Sequence, residues 1–215
     1  MMVVSINIKH VYRYPVEFVA NIYFTKYPCE EEKFVKRIDT LEHRIEWFER
    51  QMFVIWVILV KEREVPGLTS GRIRDIMKKL DPIKGIDYKR RVAVCDNFIP
   101  SILRKVPILN EAAILFEEHT WLNLRERCLH LKSRNLTWEK YAQMHETSTF
   151  KPCSENPQWT LFEQHGEIDI TGLGPFGRMM EVFAEKFLQA GIKRSLSIME
   201  ALLKKRWTMV KENRS

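Results

Sequence analysis

Apolar and polar residues alternate from the start of the chain, and "MMVVSINIKHVYRYP" predicts an opening strand. In "YPVEFVANIYFTKYP" the period changes. Val16, Val19, Ala20 and Tyr23 recur at helical spacing, which predicts a short amphipathic helix stopped by Pro28. "KFVKRIDTLEHRIE" and, much later, "GIDYKRRVAVCDN" read as extended segments. "FIPSILRKVPIL" is apolar but broken by Pro100 and Pro107, so it predicts a loop with a helical turn. From Ala113 four strand-like runs follow: "AILFEEHTWLN", "RCLHLKSRNLT", "YAQMHETSTF" and "WTLFEQHGEIDIT". Their connections are short and polar, as an antiparallel meander requires. A long helix from about Phe176 to Trp207 closes the pattern. The expectation is an α+β domain whose sheet is covered on one face.

One stretch breaks this order. "QMFVIWVILV" (Gln51 to Val60) is the most apolar run in the chain, with nine apolar residues from Met52 to Val60. A spanning helix needs ~20, so the run is not a transmembrane segment by itself. A buried strand, a short core helix and an interfacial segment all remain open for it.

Composition narrows the class. The 215 residues suffice for one domain with a sizeable core. Apolar residues at 45% and charged residues at 29% exclude disorder. A net charge of +7 favours anionic partners: nucleic acid, acidic membrane or phosphate-bearing ligands. Cys29, Cys95, Cys128 and Cys153 are scattered and form no C-x-x-C pair, which excludes zinc ribbons and thioredoxin chemistry. Free buried thiols are expected. The first residues read as neither a signal peptide nor a Ser/Arg-rich transit peptide.

Several motifs suggest chemistry and then fall short. "GLGPFG" (Gly172 to Gly177) spells G-x-G-x-x-G between a strand and a helix. It lacks the returning strand and acidic residue of a dinucleotide site, and reads as a strand-to-helix turn. The six histidines show no helical metal-ligand spacing, so no metal and no cofactor are expected. No nucleophile elbow or P-loop occurs, and no catalytic residue is identified. Asn135-Leu136-Thr137 is a glycosylation sequon of consequence only in a secreted chain.

The last helix is more informative. At ~100° per residue, Met179, Val182, Phe183, Ala190 and Lys193 fall within about 60° of Lys186. Two lysines therefore stand in an apolar stripe. Either their stems pack on the sheet and the ammonium groups snorkel out, or they face a cavity in which a phosphate supplies the counter-charge.

At "TKYP" (Thr25 to Pro28), "YKRRVAVC" (Tyr88 to Cys95), "SRNLTW" (Ser133 to Trp138) and "ENPQWT" (Glu155 to Thr160), the chain resembles the PRELI/MSF1 family. The likeness covers one domain, residues 1–207, followed by a flexible tail at 208–215. It is interrupted once. Removing 47–80 leaves a hairpin with Asp-Pro and Gly at its turn, so this segment reads as an insertion at a hairpin tip. A folded membrane-docking element is the alternative reading of the same segment.

The resemblance implies a curved antiparallel sheet of about seven strands. Helices would wrap it around a lipid pocket, similar to START and phosphatidylinositol-transfer proteins, with a long C-terminal helix. It implies an intracellular phospholipid carrier, not an enzyme, moving phosphatidic acid or phosphatidylserine between mitochondrial membranes across the intermembrane space. It also implies peripheral membrane contact and a small twin C-x9-C helical-hairpin protein as heterodimer partner, with no nucleic acid. The basic position of the family's K/R-Y-P motif matches Lys26, a headgroup arginine matches Arg91, and two basic helix positions match Lys186 and Lys193. The loop over the pocket mouth matches Ile99, Pro100, Ile102, Leu103 and Val106. Two departures stand out: "KYPCE" lacks the usual Asn-Pro after tyrosine-proline, and Cys95 stands where some members place a headgroup lysine.

Other classes remain in competition. A nucleic-acid binder fits the charge, yet no RRM-like aromatic strand motif or helix-turn-helix is present. A non-transferring lipid-binding or partner-sequestering adaptor differs from an active carrier only through features such as Cys95.

Overall fold

The computed structural model describes residues 2–27, 29, 32–47, 85–171 and 177–212. Strand β1 (Met2–Tyr12) leads into helix α1 (Val16–Thr25), then β2 (Val35–Trp47) and β3 (Gly85–Asp96). Two 3-10 turns, Leu103–Lys105 and Pro107–Leu109, precede β4 (Ala113–Asn123), β5 (Cys128–Asn135), β6 (Ala142–Pro152) and β7 (Thr160–Ile170). Helix α2 (Gly177–Glu212) ends the described chain. The seven strands form one antiparallel sheet in the order β1-β7-β6-β5-β4-β3-β2. The meander expected from the alternating runs is therefore present, and β1 returns to pair with β7 along its whole length.

One face of β1, β5, β6 and β7 lies under the helices, as successive side chains of a strand point to opposite faces. Leu129, Leu131, Phe150 and Phe162 meet Val19, Ala20 and Ile22 of α1 and Met199 and Leu203 of α2 in one buried cluster. Burying each large apolar side chain contributes about 1.5–3 kcal/mol, which holds both helices on the same face. A second cluster joins Ile99, Leu103 and Leu109 to Met180 and Ala184 of α2. Edge strand β2 carries two register shifts, between Val35 and Arg37 and between Thr40 and Glu42. Such bulges bend a strand and blunt its free edge.

Two boundaries differ from expectation. Helix α2 continues to Glu212, so the expected tail is helical at residues 208–212. No glycine or proline interrupts that stretch, and the Thr208 hydroxyl donates to the Lys204 carbonyl at 3.1 Å. Trp47, the first residue of the expected insertion, still belongs to β2 and pairs with Gly85. The rest of that insertion, including "QMFVIWVILV", lies outside the described residues, as does Pro28. Gly172 to Phe176 of the "GLGPFG" motif do too. The four cysteines are free, and Cys95, Cys128 and Cys153 are buried.

Candidate functional site

Between the two clusters the sheet, α1 and α2 enclose a cavity of about 330 Å³. Its wall is mostly apolar: Tyr12, Phe150, Phe162, Phe187, Leu196 and Met199 all contribute. Pockets of this size, apolar with a few polar groups, suit small-molecule ligands. The strand alternation that builds the core also points Phe116 and Glu118 of β4, and Met144, Glu146 and Ser148 of β6, into this space.

Lys26 sits one residue past the end of α1, which carries it beneath the sheet. It is only 8% exposed, and its ammonium lies 4.6 Å from the Tyr23 ring and 4.7 Å from the Tyr27 ring. Among the described residues it has no hydrogen-bond or ion-pair partner. Desolvation outweighs the attraction of Glu118 and Glu146 and pushes its pKa down to about 8. A buried cation in an aromatic cage, with carboxylates near it but none in ion-pair contact, is a costly arrangement for an empty protein.

Arg91 is buried as expected of a headgroup arginine, but it is already paired. Its Nε donates to Glu118 at 2.9 Å, its Nη2 makes a second contact with the same carboxylate, and the Tyr23 hydroxyl donates to Glu118 as well. Cross-strand register sets Arg91 opposite Glu118. Its charge is therefore spent on holding Glu118, and among the described cavity-lining cations Lys26 is the one without an ion pair.

The helix positions require a correction. Lys186 and Lys193 are exposed and neither lines the cavity. The buried residues Met180, Ala184 and Ile198 fall ~120–160° from Lys186 around the helix, close to the opposite side. Met179 and Val182, which framed the stripe, are 46% and 49% exposed. Apolar residues surround this half of α2 on both sides, so the wheel alone did not determine its buried face. The cation of α2 that does line the cavity is Arg194, one residue beyond Lys193. It lies 3.6 Å from Glu32 and 5.4 Å from the Phe34 ring. Charge reversal at Lys186 and Lys193 together is expected to leave ligand loading within about twofold of wild type, as for exposed charges. A loading assay that loses the ligand entirely in this double variant would return these lysines to the site.

No residue of the loop 99–106, expected over the pocket mouth, lines the cavity; the loop packs in the second cluster instead. Ile99 and Leu103 are 3% exposed and pack under α2, Val106 is half-buried, and Pro100 and Ile102 face outward. Asn97 fastens the loop: its amide donates to the carbonyls of Leu109 and Glu111, and its side-chain oxygen accepts from the Ile99 N–H. Trp138, at φ 66°, donates its indole N–H to the Ile108 carbonyl at 2.7 Å. At the loop's root Phe98 stacks on Phe187 with centroids 4.0 Å apart, closing one side of the cavity.

Cys95 also lines the cavity, and burial pushes its thiol up to about 11. It stays neutral and supplies no headgroup charge. Sequence reading missed Tyr23, Glu118, Glu146, Phe98 and Arg194. A legible signal existed for one pair, because "KRR" in β3 and "FEEH" in β4 place basic and acidic doublets on neighbouring strands.

The sequence profile of the PRELI-like family matches residues 73–209. The chain belongs to the PRELI-like family. A relative named protein slowmo homolog, from Dictyostelium discoideum, is 24% identical over 90% of this chain and 68% of its own length. A UPS-like protein of Schizosaccharomyces pombe is 24% identical over 74% of this chain and 66% of that protein. The chain thus spans about two thirds of the length of these curated relatives. In fold it is similar to the Zhui aromatase/cyclase of Streptomyces sp. R1128, with a TM-score of 0.51, 9% identity and coverage of 95% and 96% of the two chains. It is also similar to a Thermus thermophilus protein, TTHA0849, with a TM-score of 0.52, 11% identity and coverage of 94% and 99%. At these identities the likeness concerns the fold. The expectation of an antiparallel sheet of about seven strands with a long C-terminal helix is met. Membership of the PRELI-like family supports lipid binding or transport.

Proposed function

We propose that this protein is an intracellular phospholipid carrier, which binds an anionic phospholipid such as phosphatidic acid or phosphatidylserine and transfers it between mitochondrial membranes. The observation that carries the reading is Lys26. A nearly fully buried ammonium, caged by aromatic rings and without an ion-pair or hydrogen-bond partner among the described residues, lines an apolar cavity. A lipid phosphate supplies the missing charge, and its acyl chains gain about 25 cal/mol per Å² of surface hidden from water. Two acyl chains need more room than about 330 Å³, so loading requires α2, which walls the cavity, to move outward. A carrier breaks no bond, and the cavity is assigned no catalytic role. Family membership supports location in the intermembrane space, peripheral contact with its membranes and stabilisation by a small twin C-x9-C helical-hairpin partner.

Titration of Lys26 gives the test. The free protein holds the ammonium only below about pH 8. Affinity for a phosphodiester, whose charge is constant there, is expected to fall about tenfold per pH unit above that value. The fall ends at the higher pKa that the bound phosphate gives Lys26. In Lys26→Arg the cation persists, and the profile is expected to be flat to about pH 10. Lipid transfer between liposomes, measured from about pH 7 to 10 in both proteins, distinguishes the readings. A wild-type profile as flat as that of the arginine variant removes Lys26 from the site. No transfer at any pH favours the adaptor reading, for which the neutral Cys95 thiol and the internally paired Arg91 also speak.

A further inference from the structure

The cavity holds an anion as well as a cation. Glu146 points inward from β6, between Met144 and Ser148 on the same strand face, and all three line the cavity. Its carboxylate accepts the Ser148 hydroxyl at 3.3 Å and a hydrogen bond from the Gln164 side chain. Among the described residues no Lys, Arg or His lies within ion-pair distance of it. Lys26 and Glu146 therefore line one chamber and attract each other through space, yet among the described residues neither makes an ion pair. Arg91 and Glu118 satisfy each other beside them.

We propose that Glu146 receives the ammonium of a phospholipid headgroup while Lys26 receives its phosphate, so that the cavity selects amine-bearing headgroups over phosphatidic acid. This inference rests on the carrier reading. The charged groups at the cavity, Lys26, Arg91, Arg194, Glu32, Glu118 and Glu146, sum to zero when all are ionised. A phosphodiester with a primary ammonium two carbons away keeps that balance and gives Lys26 and Glu146 each an opposite charge in contact. A phosphomonoester brings up to two negative charges into a chamber that already holds carboxylates, which a poorly hydrated site disfavours strongly. Burial, reinforced by Glu118, already holds the Glu146 carboxyl above its ordinary range, and a bound ammonium relieves that strain on the ionised form.

The test is competitive extraction. The purified full chain is incubated with vesicles of phosphatidylcholine containing equal phosphatidic acid, phosphatidylethanolamine and phosphatidylserine, and the lipid carried off is quantified by mass spectrometry. Wild type is expected to enrich the amine-bearing lipids over phosphatidic acid. Glu146→Gln keeps the shape and neutral hydrogen bonding, and is expected to lower the ratio of amine-bearing lipid to phosphatidic acid about tenfold, the loss of one charge-assisted contact. Phosphatidic acid uptake rises in the same variant, because a repelling carboxylate has gone. Glu146→Asp, which retains the charge at shorter reach, gives an intermediate ratio. A ratio unchanged in Glu146→Gln, or a wild type that prefers phosphatidic acid, overturns the Glu146 assignment and leaves the carrier standing. Wild type extracting no lipid above background overturns the carrier and this assignment together. The separate amounts of ethanolamine and serine lipid tell whether the extra serine carboxylate is tolerated.

Discussion

Replacing Lys26 by methionine is expected to stabilise the ligand-free protein by about 1–3 kcal/mol and to cut anionic phospholipid uptake about 100-fold. The two effects share one cause. Taking the Lys26 ammonium from water into the aromatic cage lowers its pKa from 10.5 to about 8, a penalty of roughly 3 kcal/mol on the charged form. Methionine fills a similar volume without that penalty. The unfolded chain binds the Lys26 proton up to about pH 10.4 and the folded chain only to about 8. Wild-type stability is therefore expected to rise with pH through this window, and the methionine variant to lack that contribution. For a chain of 215 residues the gain at neutral pH corresponds to a melting temperature about 2–12 °C higher. Thermal unfolding of the delipidated proteins measures it. A methionine variant that melts below wild type would mean that an anionic partner already stabilises Lys26 within the chain.

Glu118→Ala is expected to have the opposite sign and a larger size, a loss of about 3–5 kcal/mol. Glu118 accepts from Arg91 and from the Tyr23 hydroxyl, and Arg91 is 6% exposed. Removing the carboxylate leaves a buried guanidinium without its anion and deprives Lys26 of the Coulomb field that supports its charge. Replacing both partners, Arg91→Met with Glu118→Leu, is expected to recover most of the loss, since neither desolvated charge remains. Denaturant unfolding of the single and double variants decides the matter. Equal destabilisation in both would mean that packing, not the unpaired charge, sets the cost.

The strands were legible where one face is exposed, so alternation survives almost residue by residue in β1 and over most of β6, while in β4 every third position is buried. The site was less legible because alternation tells that two neighbours point apart and not which one points inward. Glu117 and Glu118 are adjacent acids, both paired to arginines, and only Glu118 enters the cavity. Tyr23 read as a core position of α1, whereas Ile22 takes that place and Tyr23 turns to the cage around Lys26. On α2 a single residue, ~100° of rotation, separates the exposed Lys193 from the cavity-lining Arg194. Apolar residues on both sides of the helix leave that rotation undetermined until the sheet is in place.

Native mass spectrometry of the protein after incubation with phospholipid vesicles tests the central claim most directly. One phospholipid per chain is expected on wild type, retained after removal of the vesicles, and absent from the methionine variant at Lys26. Wild type without bound lipid, or equal loading of the two proteins, would contradict a carrier organised around that buried ammonium.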